Sequence, residues 1–71
     1  MKTVIIHTEY ITLGQFLKYI NEISSGAMAK LFLSEGRVKV NGEIESRRGR
    51  KLYPGYVVNV ENKQYKIGKK A

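Results

Sequence analysis

Hydrophobic and polar positions follow one period in the first half of the chain and another in the second. Residues 3–8 are rich in β-branched side chains and predict a first strand. Thr12 and Gln15 have the spacing of a capping box, after which Leu13, Phe16, Leu17 and Ile20 recur at i, i+3, i+4 and i+7. That stripe predicts an amphipathic helix with Gln15, Lys18 and Glu22 on its wet side. Ser24-Ser25-Gly26 interrupts it, and Ser25 is a good N-cap for a second helix. Ala27, Met28, Leu31, Phe32 and Glu35 continue the pattern, with Lys30 and Ser34 on the exposed side and Gly36 at the left-handed C′ position. Two helices separated by so short a break are expected to pack as a hairpin, with Phe16, Met28 and Phe32 in the core.

From residue 37 the period becomes two. Val38 and Val40 alternate with Arg37 and Lys39, and Asn41-Gly42 marks a turn. A two-residue loop sets Val40 opposite Glu43 and wastes the apolar pattern. A three-residue loop, Val40-Asn41-Gly42, instead pairs Val38 with Ile44, Lys39 with Glu43 and Arg37 with Glu45, and is the expected register. Tyr53-Pro54-Gly55-Tyr56 has Pro and Gly where a type II turn wants them. Residues 56–60 and 64–67 then read as two last strands joined at Glu61-Asn62-Lys63. The expected fold is α+β: a helical hairpin packed on a small antiparallel sheet, one domain over 1–67, with 68–71 as a flexible basic tail.

Composition narrows the chemistry. The chain has 71 residues, of which 42% are hydrophobic and 27% charged, an ordinary balance for one small globular domain. It has no cysteine, no aspartate and one histidine, which removes thiolate chemistry and Cys-ligated zinc. No apolar run is long enough for a signal peptide or a membrane span, so a soluble, cytoplasmic protein is expected. Thirteen Lys and Arg against six Glu give a net charge of +7. Residues 1–36 carry three cations and three anions, so residues 37–71, with ten and three, hold the whole excess. Such asymmetry points to a polyanionic partner.

The sharpest candidate is Arg47-Arg48-Gly49-Arg50-Lys51. Its arginines can fork onto phosphate oxygens, and its glycine admits close backbone approach. With Arg37 and Lys39 partly neutralised by the hairpin, this cluster is expected to stand without acidic partners. The bland alternative is a solvated loop. Neutralising four to six phosphates would give a salt slope of about −3 to −5. Arg47→Glu with Arg50→Glu is then expected to weaken binding more than tenfold and leave the fold intact. Ser25, Gly26 and Lys30 form a second candidate, a helix N-terminus with uncovered N–H groups, weighed against simple capping. Tyr53 and Tyr56 flank a turn and complete a small core, although tyrosine faces also stack on bases. His7 and Glu9 leave one face of the first strand, but a lone His-x-Glu is a weak acid–base signal.

Ser24-Ser25-Gly26-Ala27-Met28-Ala29-Lys30, followed by Ser34-Glu35-Gly36-Arg37-Val38-Lys39-Val40-Asn41-Gly42, resembles the S4 RNA-binding domain. Residues 11–18 and 51–58 fit the same pattern. The short chain and its basic cluster are more specifically similar to the free-standing bacterial YaaA-type members. The resemblance implies binding of structured RNA, ribosomal or tRNA-like, by the helical hairpin and the adjoining basic loop. Ribosomal particles are an implied partner, and neither catalysis nor a cofactor is expected. It carries contact roles onto Lys18, Ser25, Lys30, Arg37, Lys39 and Asn41. The chain departs from larger members at Thr12, Gly14 and Gly26, where these usually place a basic residue, an acidic residue and an arginine. Charge alone leaves two alternatives, a DNA-binding protein and an interaction adaptor with a basic face.

Overall fold

The computed structural model describes residues 1–20 and 26–70. In chain order the elements are β1 (Lys2–Ile6), β2 (Ile11–Thr12), α1 (Leu13–Tyr19), α2 (Gly26–Ser34), β3 (Val38–Val40), β4 (Glu43–Ile44), β5 (Lys51–Leu52), β6 (Val57–Val60) and β7 (Lys63–Lys69). The fold is α+β. A five-stranded sheet runs β1-β7-β6-β3-β4, and a separate two-stranded ladder joins β2 to β5. The sheet is antiparallel except at one edge, where β1 lies parallel to β7.

The capping box forms as the spacing predicts. Gln15 N–H donates to Thr12 Oγ1 (3.3 Å), and Thr12 N–H donates to Gln15 Oε1 (3.1 Å). Leu13, Phe16 and Leu17 turn inward, with Phe16 edge-on to Tyr65 of β7 at 5.5 Å between ring centres. The sheet contributes Val4 and Ile6, Val38 and Val40, Val58 and Val60, and Ile67 to the same core. On α2 the buried positions are Ala29 and Leu33, with Phe32 at the margin. Met28, expected in the core, is 49% exposed. Residues 27–29 and 31–33 are apolar all round the helix, so the pattern allowed several faces, and the one centred on Ala29 and Leu33 packs inward. Ser25 and Glu22 lie outside the described residues.

Three expectations about the strands need correction. First, Asn41 and Gly42 both adopt positive φ (52° and 88°), as a two-residue type I′ turn requires. Lys39 therefore faces Ile44 and Val40 faces Glu43, and Glu45 N–H donates to Val38 O (3.0 Å). The three-residue loop is wrong: Ile44 is 64% exposed, and Glu45 is the side chain that turns inward. Second, β1 ends at Ile6, so His7 and Glu9 sit in a bend rather than on one strand face. Third, β7 continues to Lys69, with Gly68 and Lys69 opposite Ile5 and Ile6, and Lys70 N–H donates to Ile6 O (3.1 Å). The expected tail is hydrogen-bonded to β1 as far as Lys70. The turn at 53–56 does form, with Gly55 at φ 95° and Tyr56 N–H donating to Tyr53 O (3.0 Å).

Candidate functional site

The ladder between β2 and β5 places the basic loop against the start of α1. Ile11 faces Leu52 and Thr12 faces Lys51, so residues 47–50 fold back over the first helical turn. Leu13 N–H donates to Arg50 O (2.8 Å) and Gly14 N–H to Arg48 O (2.9 Å). Together with the capping box these bonds satisfy the first three N–H groups of α1, which a helix end otherwise leaves unpaired. The loop is thereby fixed by its backbone, leaving its side chains to do other things.

Glu45 organises two of those side chains. The residue is 7% exposed, and its carboxylate accepts five N–H donors. Ser46 and Arg47 donate backbone N–H to Oε2 (both 3.0 Å). Arg47 adds Nε to Oε2 and Nη2 to Oε1, and Arg50 adds Nη1 to Oε1, each at 3.1 Å. The Arg47 guanidinium, outweighing the opposing effect of burial, holds the Glu45 pKa down at about 2. Arg47 and Arg50 are therefore not without an acidic partner, contrary to the sequence expectation.

Because the folded pKa lies below the ordinary 4.5, this interaction stabilises the fold fully above about pH 4.5. The stabilisation is lost as pH falls from there through about 2. Urea midpoints measured from pH 6 down to pH 2 are expected to show that decline. Glu45→Gln should flatten the decline and cost about 1–3 kcal/mol at neutral pH. An unchanged acid limb in Glu45→Gln would remove Glu45 as its source.

Arg48 takes a different course. Its stem runs beside Gly14 on α1, where an added Cβ would lie 2.6 Å from Arg48 Cγ. Its guanidinium reaches the start of α2, where Nη1 donates to Gly26 O (3.3 Å). A Cβ on Gly26 would lie 2.7 Å from that nitrogen. Two glycines thus leave the channel through which Arg48 joins the loop to both helices.

A concavity of about 240 Å³ follows, lined by Thr12, Gln15, Lys18, Gly26, Arg48 and Gly49 among others. On the other side of the loop a second one, of about 410 Å³, is lined by Arg47, Gly49, Arg50, Lys51, Tyr53 and Tyr56. Gly49 belongs to both, and a methyl group there would meet nothing within 4 Å. Nothing in the fold itself calls for glycine at that position.

The remaining candidates divide. Lys18, Lys30, Lys39 and Lys51 are exposed and carry no ion pair among the described residues. Arg37 is engaged elsewhere: Nε meets Glu35 Oε1 (3.0 Å), Nη1 meets Glu61 Oε1 (3.1 Å), and the guanidinium lies over the Phe32 ring at 5.2 Å. Asn41 holds its turn, accepting from Val57 N–H at Oδ1 (3.0 Å) and donating its own N–H to Val57 O (2.8 Å). The pairings of Arg37 with Glu45 and of Lys39 with Glu43 do not occur. His7 and Glu9 border an open groove of about 930 Å³ between β1 and α1, and no hydrogen bond joins them.

Sequence reasoning pairs Glu45 with Arg37 instead of the basic loop, gives Gly14 no part in seating Arg48, and gives Tyr10 no role. Glu45 was legible, since the Asn-Gly turn places it opposite Val38, where a carboxylate needs cations and Arg47 is two residues away. Gly14 needed the position of Arg48, and Tyr10 needed the β2–β5 ladder.

The model of the S4 domain matches residues 4–68, from β1 through both helices and the basic loop into β7. The chain is similar to the "Probable ribosome maturation protein RlbA" of Bacillus subtilis (strain 168), with 64% identity over 56 residues, 79% of each chain. It is also similar to the "Putative RNA-binding protein YbcJ" of Escherichia coli (strain K12), with 38% identity over 50 residues, 70% of this chain and 71% of the relative. No helix among the described residues is long and apolar enough to cross a membrane. A match of this extent, on a fold whose loop and helices are joined through Gly14, Arg48 and Gly26, makes the chain a member of the S4 domain family.

Proposed function

We propose that this chain is a small non-catalytic cytoplasmic module that binds structured RNA, with ribosomal particles as its setting. The observation that carries the reading is the convergence of α1, α2 and loop 47–51 on one surface through Arg48. The two helices act as a hairpin on which Lys18 lines a concavity with Arg48 and Gly49 and Lys30 stands exposed on α2, and Lys51 extends the charge along β5. The names of the two relatives, one a ribosome maturation protein and one an RNA-binding protein, support the same reading. Backbone phosphates supply most of the affinity, and the shape of the surface selects an A-form helix or junction, whose wide shallow minor groove displays 2′-hydroxyls.

Binding to an RNA hairpin, an RNA single strand and a DNA duplex, each at two salt concentrations, tests the proposal. The hairpin is expected to bind tightest, with a slope of log affinity against log salt of about −3 to −5. Lys18→Gln with Lys30→Gln and Lys51→Gln should lower hairpin affinity more than tenfold without moving the thermal midpoint. Equal affinity for all three nucleic acids would reduce the site to a generic polyanion surface. No binding to any of them would leave the adaptor reading.

A further inference from the structure

Three tyrosines that the phosphate-binding reading does not use lie in one row beside the loop. The β2–β5 ladder, with Ile11 opposite Leu52, brings the residues at its end, Tyr10 and Tyr53, together. Their ring centres are 5.7 Å apart at 50°. The turn at Pro54-Gly55 then carries Tyr56 back to within 5.7 Å of Tyr53, edge to face at 62°. Tyr56 packs on the core, as a turn-flanking tyrosine should, but Tyr53 is 39% exposed and Tyr10 is exposed beside it. Tyr65 shows the alternative, a ring fully enlisted in the core against Phe16.

Cations frame the row. Lys51 Nζ lies 4.9 Å from the centre of the Tyr10 ring, and the Arg50 guanidinium lies 5.9 Å from that of Tyr56. No such cation lies over Tyr53 among the described residues. Arg50 is also anchored by Glu45, so its position is set before any ligand arrives. The concavity lined by Tyr53, Tyr56, Arg50 and Lys51 therefore offers an aromatic platform with fixed positive charge at its rim. That combination matches a nucleotide: the base stacks on a ring, and its phosphate meets the cations. Bases within a duplex are already stacked on one another, so the occupant must be unpaired.

From this geometry we infer that the Tyr10–Tyr53–Tyr56 row is a stacking site for an unpaired nucleotide flanking the RNA helix held by the loop, with Tyr53 as the platform. This inference rests on the RNA-binding reading above and adds a second element to the target, a helix bordered by a single-stranded nucleotide.

The test compares a blunt RNA hairpin with the same hairpin carrying a short single-stranded extension. Wild type is expected to bind the extended RNA about tenfold more tightly, the gain from one stacked base. The chain has five tyrosines and no tryptophan, so the emission is tyrosine emission, and the part of its quenching that the extension adds and that a Tyr53 variant loses reports the contact. Tyr53→Leu, which keeps apolar bulk at the turn without an aromatic face, should bring the extended RNA down to the affinity of the blunt one. Tyr53→Phe should retain the difference. Equal affinity of wild type for the two RNAs would overturn the stacking site and leave the RNA-binding reading standing. So would a Tyr53→Leu variant that preserves the difference. Failure to bind either RNA would overturn both.

Discussion

Reversing Arg47 and Arg50 together to glutamate is expected to destabilise the domain at neutral pH, not merely to weaken its hold on RNA. Both side chains end on the same Glu45 carboxylate, which is buried and which the wild type keeps ionised. The double reversal removes three of its five donors and sets two further carboxylates beside it. The Glu45 carboxylate is buried while the Arg47 and Arg50 side chains are 71% and 33% exposed, so solvent screens part of the loss, but the carboxylate itself is left short of donors. A domain of 71 residues has only about 4–11 kcal/mol of stability altogether. The pH dependence should also change sign. Wild type loses stability as pH falls through the Glu45 titration, because its folded pKa is depressed. In the variant three clustered carboxylates favour the protonated form, so stability should rise on acidification from pH 7 towards pH 4. Circular dichroism against temperature at those two pH values decides the matter. A variant that melts with the wild type at pH 7 would show that Glu45 needs neither arginine. Arg47→Ala with Arg50→Ala, which leaves the two backbone donors in place, should fall between.

A consequence for mapping the interface follows. Loss of RNA binding in the reversal variant would report lost structure as readily as lost phosphate contacts, so this pair is a poor probe of the surface. The lysines are better ones. Lys18, Lys30 and Lys51 carry no ion pair among the described residues, and their neutralisation changes charge while sparing the Glu45 cluster.

How much of this was legible depended on the range of the interactions involved. The start of α1 was readable because Thr12 and Gln15 satisfy each other three residues apart. The turn at Pro54-Gly55 was readable for the same reason. The β3–β4 hairpin departs from the expected register, although its interactions are equally local, because turn chemistry outweighs apolar alternation there. Asn41-Gly42 suits a type I′ turn whose twist matches the strands, and a two-residue β4 loses little by exposing Ile44. The same turn buries Glu45 and so engages Arg47 and Arg50, which the sequence expectation leaves without acidic partners. The parallel pairing of β1 with β7 and the β2–β5 ladder join residues far apart in sequence, and no spacing along the chain announces them. The second helix shows a third limit: apolar residues on every side of α2 left its buried face to be chosen by packing.

Gly14→Ala should destabilise the domain by about 1–3 kcal/mol, although alanine is the better helix former by about 1 kcal/mol. The new methyl group would stand 2.6 Å from Arg48 Cγ, 3.3 Å from Cδ and 3.5 Å from Arg48 O. These atoms are close to the backbone, and the Arg48 carbonyl already holds Gly14 N–H at 2.9 Å, so the stem cannot simply swing aside. Gly26→Ala differs in kind. Its methyl group would meet only the Arg48 guanidinium, the mobile end of a long side chain, and should cost little stability. The decisive comparison is a double-mutant cycle on urea stability. With Arg48→Ala the obstruction disappears, and adding Gly14→Ala should then be neutral or stabilising, for a coupling of about 1–3 kcal/mol between the two positions. A coupling near zero would mean that Arg48 does not tie the loop to α1. If the tie is real and the RNA-binding reading holds, Gly14→Ala should also lower hairpin affinity at temperatures where the variant remains folded. The loop and the two helices would then no longer present their cations in one fixed arrangement, and each phosphate contact would have to order the surface as it forms.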